Sequence, residues 1–201
     1  MSRIDTIFFD WGGVIADDPG DDFLKDLLKR LGATDTQTQE IYDGYMRQFL
    51  RGEINEDAYW QMIREHYGLT VHENISDDFK NWRGLITNEA VFSLVDAARA
   101  EGIRPALLTN VIEPTYGVLD AAGYYAKFDA VIASCKVGYA KPQPEIYQLA
   151  LDRLETTAER SLFIDDKQRN LDPAAAMGFR TILAENPAQI IADVNRYIHA
   201  V

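Results

Sequence analysis

The chain has 201 residues, 47% hydrophobic and 26% charged, which is enough for one sizeable core with a modest insertion. Its formal net charge of −12 argues against sequence-independent binding to nucleic acid or to anionic membranes. No apolar run approaches the roughly 18 residues of a membrane span, and residues 1–5 lack the apolar core of a signal peptide. A lone Cys135 fits a reducing compartment and is interpreted as a small core residue rather than a nucleophile. We therefore expect a cytoplasmic protein without nucleic-acid or membrane partners, and its oligomeric state stays open.

The first part of the chain predicts one strand followed by helices. The strand covers residues 4–9, and Gly12 and Gly13 follow it, where they permit a tight backbone path. From about residue 21 to residue 86 apolar residues recur at helical spacing. We predict four helices there, at residues 21–31, 36–50, 55–67 and 76–85. Residues 17–86 are interpreted as a helical cap inserted after the first strand.

After residue 86 the chain predicts alternating helices and strands. The helices are expected at residues 88–100, 114–122, 144–154, 173–177 and 190–201. The strands are expected at residues 104–109, 130–133, 161–164 and 181–183. This alternation is typical of βαβ units in a parallel sheet. We predict an α/β protein whose three-layer, Rossmann-like core comprises residues 1–16 and 87–201.

Three predicted strands stop at polar side chains. Asp10 ends the first, Thr109 and Asn110 end the second, and Asp165 and Asp166 end the fourth. Carboxyl ends of parallel strands share one edge of a sheet, where ligands bind. Carboxylates brought together in a partly dry cleft repel one another unless a cation lies between them. We therefore predict a Mg²⁺ site, because this ion prefers oxygen ligands and keeps waters that phosphate oxygens can replace.

The same residues form an ordered set of motifs. Asp10, Thr109, Lys141 and the Asp165-Asp166 pair resemble, in the same order, the four motifs of the haloacid dehalogenase-like hydrolase superfamily, most of whose members are phosphatases. The resemblance runs from residue 8 to about residue 180. It implies that Asp10 is the nucleophile and that Thr109 and Lys141 complete the catalytic set. It also implies that Asp166 binds the metal directly and Asp165 through water.

The resemblance implies a Mg²⁺-dependent phosphomonoesterase acting on a small phosphorylated metabolite, for which a sugar phosphate is one candidate. Asp10 would attack phosphorus in line and form an aspartyl-phosphate that water hydrolyses. Thr109, Asn110 and Lys141 would bind the phosphate oxygens. Asn110 serves equally well as a loop residue, and Lys136 is the alternative lysine. Asn170 is interpreted as a brace for the acidic loop.

One position departs from the family pattern. Family phosphatases commonly carry an aspartate two residues after the nucleophile as general acid and base, and this chain has Gly12 there. The metal ligand expected from this position is a backbone carbonyl, which glycine keeps. Proton delivery to the leaving group, typically worth 10²–10⁴-fold in rate, lacks its usual donor. Asp17 or Asp18 is the candidate substitute, and the alternative is an exposed acidic turn.

Two other functions stay open from the sequence. A 2-haloacid dehalogenase would use Asp10 on carbon, but it needs no metal and leaves Asp165-Asp166 as an electrostatic cost. A weakly active binding or regulatory protein would retain the fold alone. Cap residues are candidates for the substrate pocket, although their helical spacing makes most of them core: Tyr42, Tyr45, Arg47, Arg51, Tyr59, Trp60 and Trp82. The histidines are interpreted as surface or packed residues: His66, His72 and His199.

Overall fold

The computed structural model describes residues 3–17, 20–73, 75, 77 and 87–199. Its strands are β1 (Thr6–Phe9), β2 (Arg104–Thr109), β3 (Ala130–Ala133), β4 (Ser161–Asp165) and β5 (Arg180–Leu183). They form one sheet in the order β3-β2-β1-β4-β5, and every neighbouring pair is parallel. The predicted parallel α/β sheet is confirmed, and β1 occupies its centre.

Some α-helices within the described ranges pack against this sheet, and others form a group directly after β1. They are α1 (Gly20–Arg30), α2 (Asp35–Asp43), α3 (Tyr45–Leu50), α4 (Glu56–Tyr67), α5 (Glu89–Ala100), α6 (Glu113–Ala121), α7 (Ser134–Val137), α8 (Pro144–Arg153), α9 (Gln168–Met177) and α10 (Pro187–Ile198). None of them is long and apolar enough to cross a bilayer. Of the helix predicted at residues 76–85, all but residue 77 lie outside the described residues.

Three helix predictions were wrong in their bounds, and α7 was not predicted. The helix expected at residues 190–201 spans Pro187–Ile198. The single helix expected at residues 36–50 is divided at Gly44, whose ψ of −79° departs from the α-helical value near −42° while the apolar periodicity continues through it. The helix expected to begin at Pro173 begins at Gln168 instead. Proline inside a helix removes one hydrogen bond, and burial of Leu171 and Ala174 against the sheet offsets that loss.

Both faces of the sheet are covered because successive side chains of a strand point to opposite sides. Ile7 and Phe9 of β1 pack on one face with residues of α5 and α10, including Val91, Val95, Ile190 and Val194. Phe8 packs on the other face with residues of α8 and α9, including Ile146, Tyr147, Leu171 and Ala174. Helices therefore lie on both faces of the sheet, as expected for a three-layer, Rossmann-like core.

Helices α1–α4, residues 20–67, follow β1 and are called here the helical insert. Its residues form a separate apolar cluster that includes Leu24, Leu27, Leu28, Ile41, Phe49, Tyr59, Trp60 and Ile63. Ile112, from the segment after β2, packs into the same cluster. Gly52, with φ of +66°, lies so close to Cys135 that an added Cβ would overlap its carbonyl oxygen. The insert therefore contacts the core at Ile112 and Cys135, among other residues, while the domain bounds stay a prediction.

Candidate active site

A cavity of about 160 Å³ lies between the helical insert and the carboxyl ends of the central strands. Core residues on its lining are Asp10, Trp11, Gly12, Thr109, Asn110, Val111, Ile112, Thr115, Leu119, Lys141, Lys167, Arg169 and Asn170. Residues of the helical insert on its lining are Phe23, Leu24, Tyr42, Met46 and Leu50. The predicted nucleophile, phosphate-binding residues and glycine thus share one cavity.

Asp10 lies directly after β1, at the middle of the sheet edge. Its backbone N–H donates to the carbonyl of Ile164 (2.9 Å), and its Oδ1 accepts from the N–H of Trp11 (2.8 Å). Asp10 is only 7% exposed, and this burial raises its pKa to about 7, against the opposing effect of Lys141. A further cation beside this carboxylate would favour the charged form, which is the form that a nucleophile needs.

Lys141 joins two of the carboxylates. Its Nζ lies 2.9 Å from Oδ1 of Asp10 and 2.6 Å from Oδ2 of Asp165, and its side chain is 1% exposed. Burial alone would lower the pKa of Lys141, but the two carboxylates outweigh burial and hold that pKa above its ordinary value. The ammonium group therefore stays charged at the centre of the site.

Asn110 fixes the backbone that carries this lysine. Its Oδ1 accepts from the N–H of Lys141 (2.8 Å), and its Nδ2 donates to the carbonyl of Lys141 (2.9 Å). Ser134, fully buried at the start of α7, bonds both the N–H (2.9 Å) and the carbonyl (3.2 Å) of Val111. The segment after β2 is therefore held in place at both Asn110 and Val111. Sequence spacing gave no signal for either contact, because each joins residues more than twenty positions apart.

Asp165 is fully buried and already saturated with hydrogen bonds. Besides Lys141, it accepts from the N–H of Lys167 (2.8 Å) and from Nδ2 of Asn170, at 2.9 Å to Oδ1 and 3.1 Å to Oδ2. Burial would raise the pKa of Asp165, but these donors hold it below its usual value. Tyr147 in turn donates to the carbonyl of Asn170 (2.7 Å). Asn170 thus braces the acidic loop.

Three carboxylates meet at this edge of the sheet. Oxygens of Asp10, Asp165 and Asp166 lie within 4.8 Å of one another. Gly13, with φ of +74°, makes room for this group, because an added Cβ would lie 2.5 Å from Cγ and 2.6 Å from Oδ2 of Asp166. An all-oxygen donor set of this kind fits a hard divalent cation.

Thr109 and Gly12 complete the predicted set. Thr109, the last residue of β2, is 3% exposed and lines the cavity beside Asn110. Gly12 lines the cavity two residues after Asp10. Within the described residues Asp10 is the only carboxylate on the lining, so that part of the chain places no second carboxylic acid beside Gly12.

Several other candidates lie elsewhere. Lys136 pairs with Glu113 at the surface, and Asp17 is exposed away from the cavity lining. Of the aromatic candidates Tyr42 lines the cavity, while Tyr59 and Trp60 are buried in the helical insert. The cap candidates Tyr45, Arg47 and Arg51 do not line the cavity, and neither do the three histidines, which were interpreted as surface or packed residues: His66, His72 and His199. Asp18 and Trp82 lie outside the described residues.

The geometry of this site agrees with a comparison of the sequence with protein families. Residues 4–178 match the profile of the haloacid dehalogenase-like hydrolases. The chain belongs to this family. In this haloacid dehalogenase-like chain Asp10, Lys141 and Asp165 lie in contact at one edge of the sheet.

Relatives within the family have several activities in their names. The chain is 31% identical over 133 residues to sesquiterpene phosphatase astK of Aspergillus oryzae, covering 65% of this chain and 67% of that protein. It is 27% identical over 197 residues to GMP/IMP nucleotidase YrfG of Escherichia coli, covering 94% and 87%. It is also 29% identical to acyl-CoA dehydrogenase family member 10 of Mus musculus, but it spans only 18% of that protein's length.

Solved structures share the whole fold. A predicted HAD-like family hydrolase from Porphyromonas gingivalis superposes with a TM-score of 0.80 and 25% identity, covering 98% of this chain and 99% of that one. A HAD family enzyme from Bacteroides thetaiotaomicron, in complex with magnesium and inorganic phosphate, superposes with a TM-score of 0.73 and 22% identity over 91% and 96% of the two chains. The fold of this chain, helical insert included, therefore recurs in the family.

Proposed function

We propose that this chain is a Mg²⁺-dependent phosphomonoesterase that hydrolyses a small phosphorylated metabolite through an aspartyl-phosphate on Asp10. The observation that carries the proposal is the contact of Lys141 with Asp10 inside a group of three carboxylates. Three carboxylates and one ammonium group leave two negative charges, which one divalent cation would balance. The phosphatase and nucleotidase relatives, and the related fold that binds magnesium and phosphate, support the same activity.

Asp10, Asp166 and the backbone carbonyl of Gly12 would hold the ion. The saturated hydrogen bonding of Asp165 supports an outer role for its carboxylate, acting through water. When bound, Mg²⁺ withdraws charge from the phosphoryl oxygens and fixes the phosphate in line with the nucleophile.

The residues of the chain supply the remaining chemistry. A carboxylate oxygen of Asp10 forms a bond to phosphorus as the bond to the ester oxygen breaks, and the alcohol leaves with a proton taken from water. A second water then attacks the acyl-phosphate, which releases inorganic phosphate and restores the Asp10 carboxylate. Lys141 neutralises charge shared by Asp10 and the phosphoryl group. Thr109, the second N–H of the Asn110 amide and nearby backbone amides donate to the phosphoryl oxygens. The helical insert acts as a cap that closes over the substrate and excludes water.

The proposal is tested by assaying aryl and alkyl phosphates with Mg²⁺ and with EDTA. Asp10→Asn is nearly isosteric, so we expect an intact fold and a loss of turnover of at least about 10³-fold. Asp120→Asn, at an exposed position on α6, is the control and should keep full turnover. Mass spectrometry of the phosphorylated protein should place the phosphoryl group on Asp10, and trapping with beryllium fluoride in a separate sample should modify the same residue.

Two outcomes would contradict the proposal. Phosphoryl transfer to a residue other than Asp10 would refute the intermediate. Full hydrolysis of a 2-haloacid in EDTA, without phosphatase activity, would favour the dehalogenase instead.

A further inference from the structure

The side of the cavity formed by the helical insert is apolar. Each of its first three helices contributes to this side, which we call the apolar wall: Phe23, Leu24, Tyr42, Met46 and Leu50. Among these described side chains only the Tyr42 hydroxyl makes ordinary hydrogen bonds, since the thioether of Met46 is a weak acceptor. Three core residues continue the same surface: Val111, Ile112 and Leu119.

The polar groups lie on the opposite, core side of the cavity. They are contributed by the ends of the strands and by the segments that follow them: Asp10, Thr109, Asn110, Thr115, Lys141, Lys167, Arg169 and Asn170. Under the proposed function this side receives the phosphoryl group. The ester oxygen must then point away from the core, so the rest of the substrate extends toward the apolar wall.

Burial against the apolar wall discriminates between kinds of alcohol. A hydroxyl that loses its water without gaining a partner is penalised, whereas a methylene group gains from burial. A nucleoside or polyol that extends along the apolar wall would bring several hydroxyls to side chains of which only Tyr42 carries a hydroxyl. The volume of about 160 Å³ is also modest, because an apolar cavity of roughly 150 Å³ accommodates a benzene ring.

Resting on the proposed function, we infer that the substrate is a phosphomonoester of a small apolar alcohol, alkyl or aryl, and that the apolar wall selects it. Leu50 is the most accessible test of this wall. It lines the cavity at the end of α3 and is only half-buried, so a polar replacement there is tolerable for the fold.

The experiment compares n-pentyl phosphate with D-ribitol 5-phosphate, which share a five-carbon chain and differ in four hydroxyls. Ribitol is a more acidic alcohol than pentanol, so ribitol phosphate has the better leaving group. A higher kcat/KM for pentyl phosphate must therefore come from recognition of the pentyl chain by the protein. We expect kcat/KM to be about 100-fold higher for pentyl phosphate, which equals about 2.7 kcal/mol at 1.36 kcal/mol per tenfold.

A pair of variants assigns this preference to the apolar wall. Leu50→Asn should lower the pentyl-to-ribitol ratio of kcat/KM about tenfold while leaving inhibition by inorganic phosphate unchanged. Leu31→Asn is the matched control, because Leu31 is also half-buried against the core of the helical insert but does not line the cavity. It should leave the ratio unchanged.

The failures of the two proposals are distinguishable. Folded protein that hydrolyses neither ester with Mg²⁺ overturns the proposed function and this inference with it. Hydrolysis of both esters, with ribitol phosphate equal or preferred, overturns this inference alone. An equal change of the ratio in Leu50→Asn and Leu31→Asn overturns the assignment to the apolar wall.

Discussion

Replacing Lys141 with methionine removes a buried charge while nearly keeping the volume of the side chain. In the native site its ammonium group contacts Asp10 at 2.9 Å and Asp165 at 2.6 Å, out of reach of solvent. Removing one partner of a buried ion pair leaves uncompensated charge and typically costs about 3–5 kcal/mol. We expect Lys141→Met to lower the free energy of unfolding by about this amount at pH 8 in EDTA.

The loss should depend on pH. Burial already raises the pKa of Asp10 to about 7, and the variant lacks the ammonium group that opposes this rise, so the pKa moves higher still. A carboxyl group whose pKa is higher in the folded than in the unfolded state takes up a proton on folding at intermediate pH. Stability then falls as pH rises above the unfolded value, by up to about 1.4 kcal/mol per pH unit, until the folded pKa is passed. The loss at pH 5 should therefore be smaller than at pH 8.

The assay is urea unfolding followed by tryptophan fluorescence at both pH values, with EDTA or with Mg²⁺. Mg²⁺ should restore part of the lost stability at pH 8, because it binds the same carboxylates in the folded state. Lys136→Met is the control. The side chains of Lys136 and its partner Glu113 are 42% and 53% exposed, and such surface pairs contribute at most about 1 kcal/mol to the free energy of unfolding. A loss for Lys141→Met no larger than that of the control at pH 8 would refute the reasoning.

Three further predictions concern single residues. Gly13→Ala should weaken Mg²⁺ binding about 10–100-fold in calorimetry, because the added Cβ would displace Asp166. Gly68→Ala is the control, because Gly68 has a similar φ of +64° but no atom within 4 Å of an added Cβ. Equal Mg²⁺ affinities of the two variants would contradict this prediction. Gly12→Asp should accelerate alkyl phosphates more than aryl phosphates, since alkyl leaving groups need a proton; an equal effect would mean that another group already supplies it. Asp5 is held at a lowered pKa despite burial, by two hydroxyl donors and two guanidinium groups. This stabilisation is present above the unfolded pKa near 3.9 and is lost as pH falls through the folded pKa, so Asp5→Asn should flatten the acid limb of the stability curve in urea titrations; an unchanged limb would count against this role.

The sequence predicts the sheet well because its strands are short apolar runs. Three of these runs end at polar residues, and those endings bring Asp10, Thr109 and Asp165 to one edge. It predicts less where the outcome depends on contacts distant in the chain. The two hydrogen bonds between the side chain of Asn110 and the backbone of Lys141 are an example. Apolar periodicity also hides the break at Gly44, since the pattern continues through it.

The lining of the cavity is the least predictable part of the site. Tyr59 and Trp60 are residue types that are common in binding pockets, but they are buried in the helical insert. Met46 and Leu50 are residue types that are common in cores, but they line the cavity. Both groups satisfy the same helical spacing. Which turn of a helix faces the cavity is decided by how α1, α2 and α3 dock on one another and on Ile112.

The central position of β1 has a consequence for folding order. Thr6 pairs with Arg104 on one side and with Ser161 on the other, so both neighbours of the strand lie roughly 100 to 150 residues further along the chain. During synthesis β1 emerges from the ribosome before the other strands of the sheet, and it can pair with β4 only after Asp165 has emerged. Helices α1–α4 can form meanwhile from local contacts, whereas the sheet edge that carries Asp10 closes late. Truncation before β4 therefore exposes an apolar parallel strand with an unpaired edge, the kind of surface that aggregates.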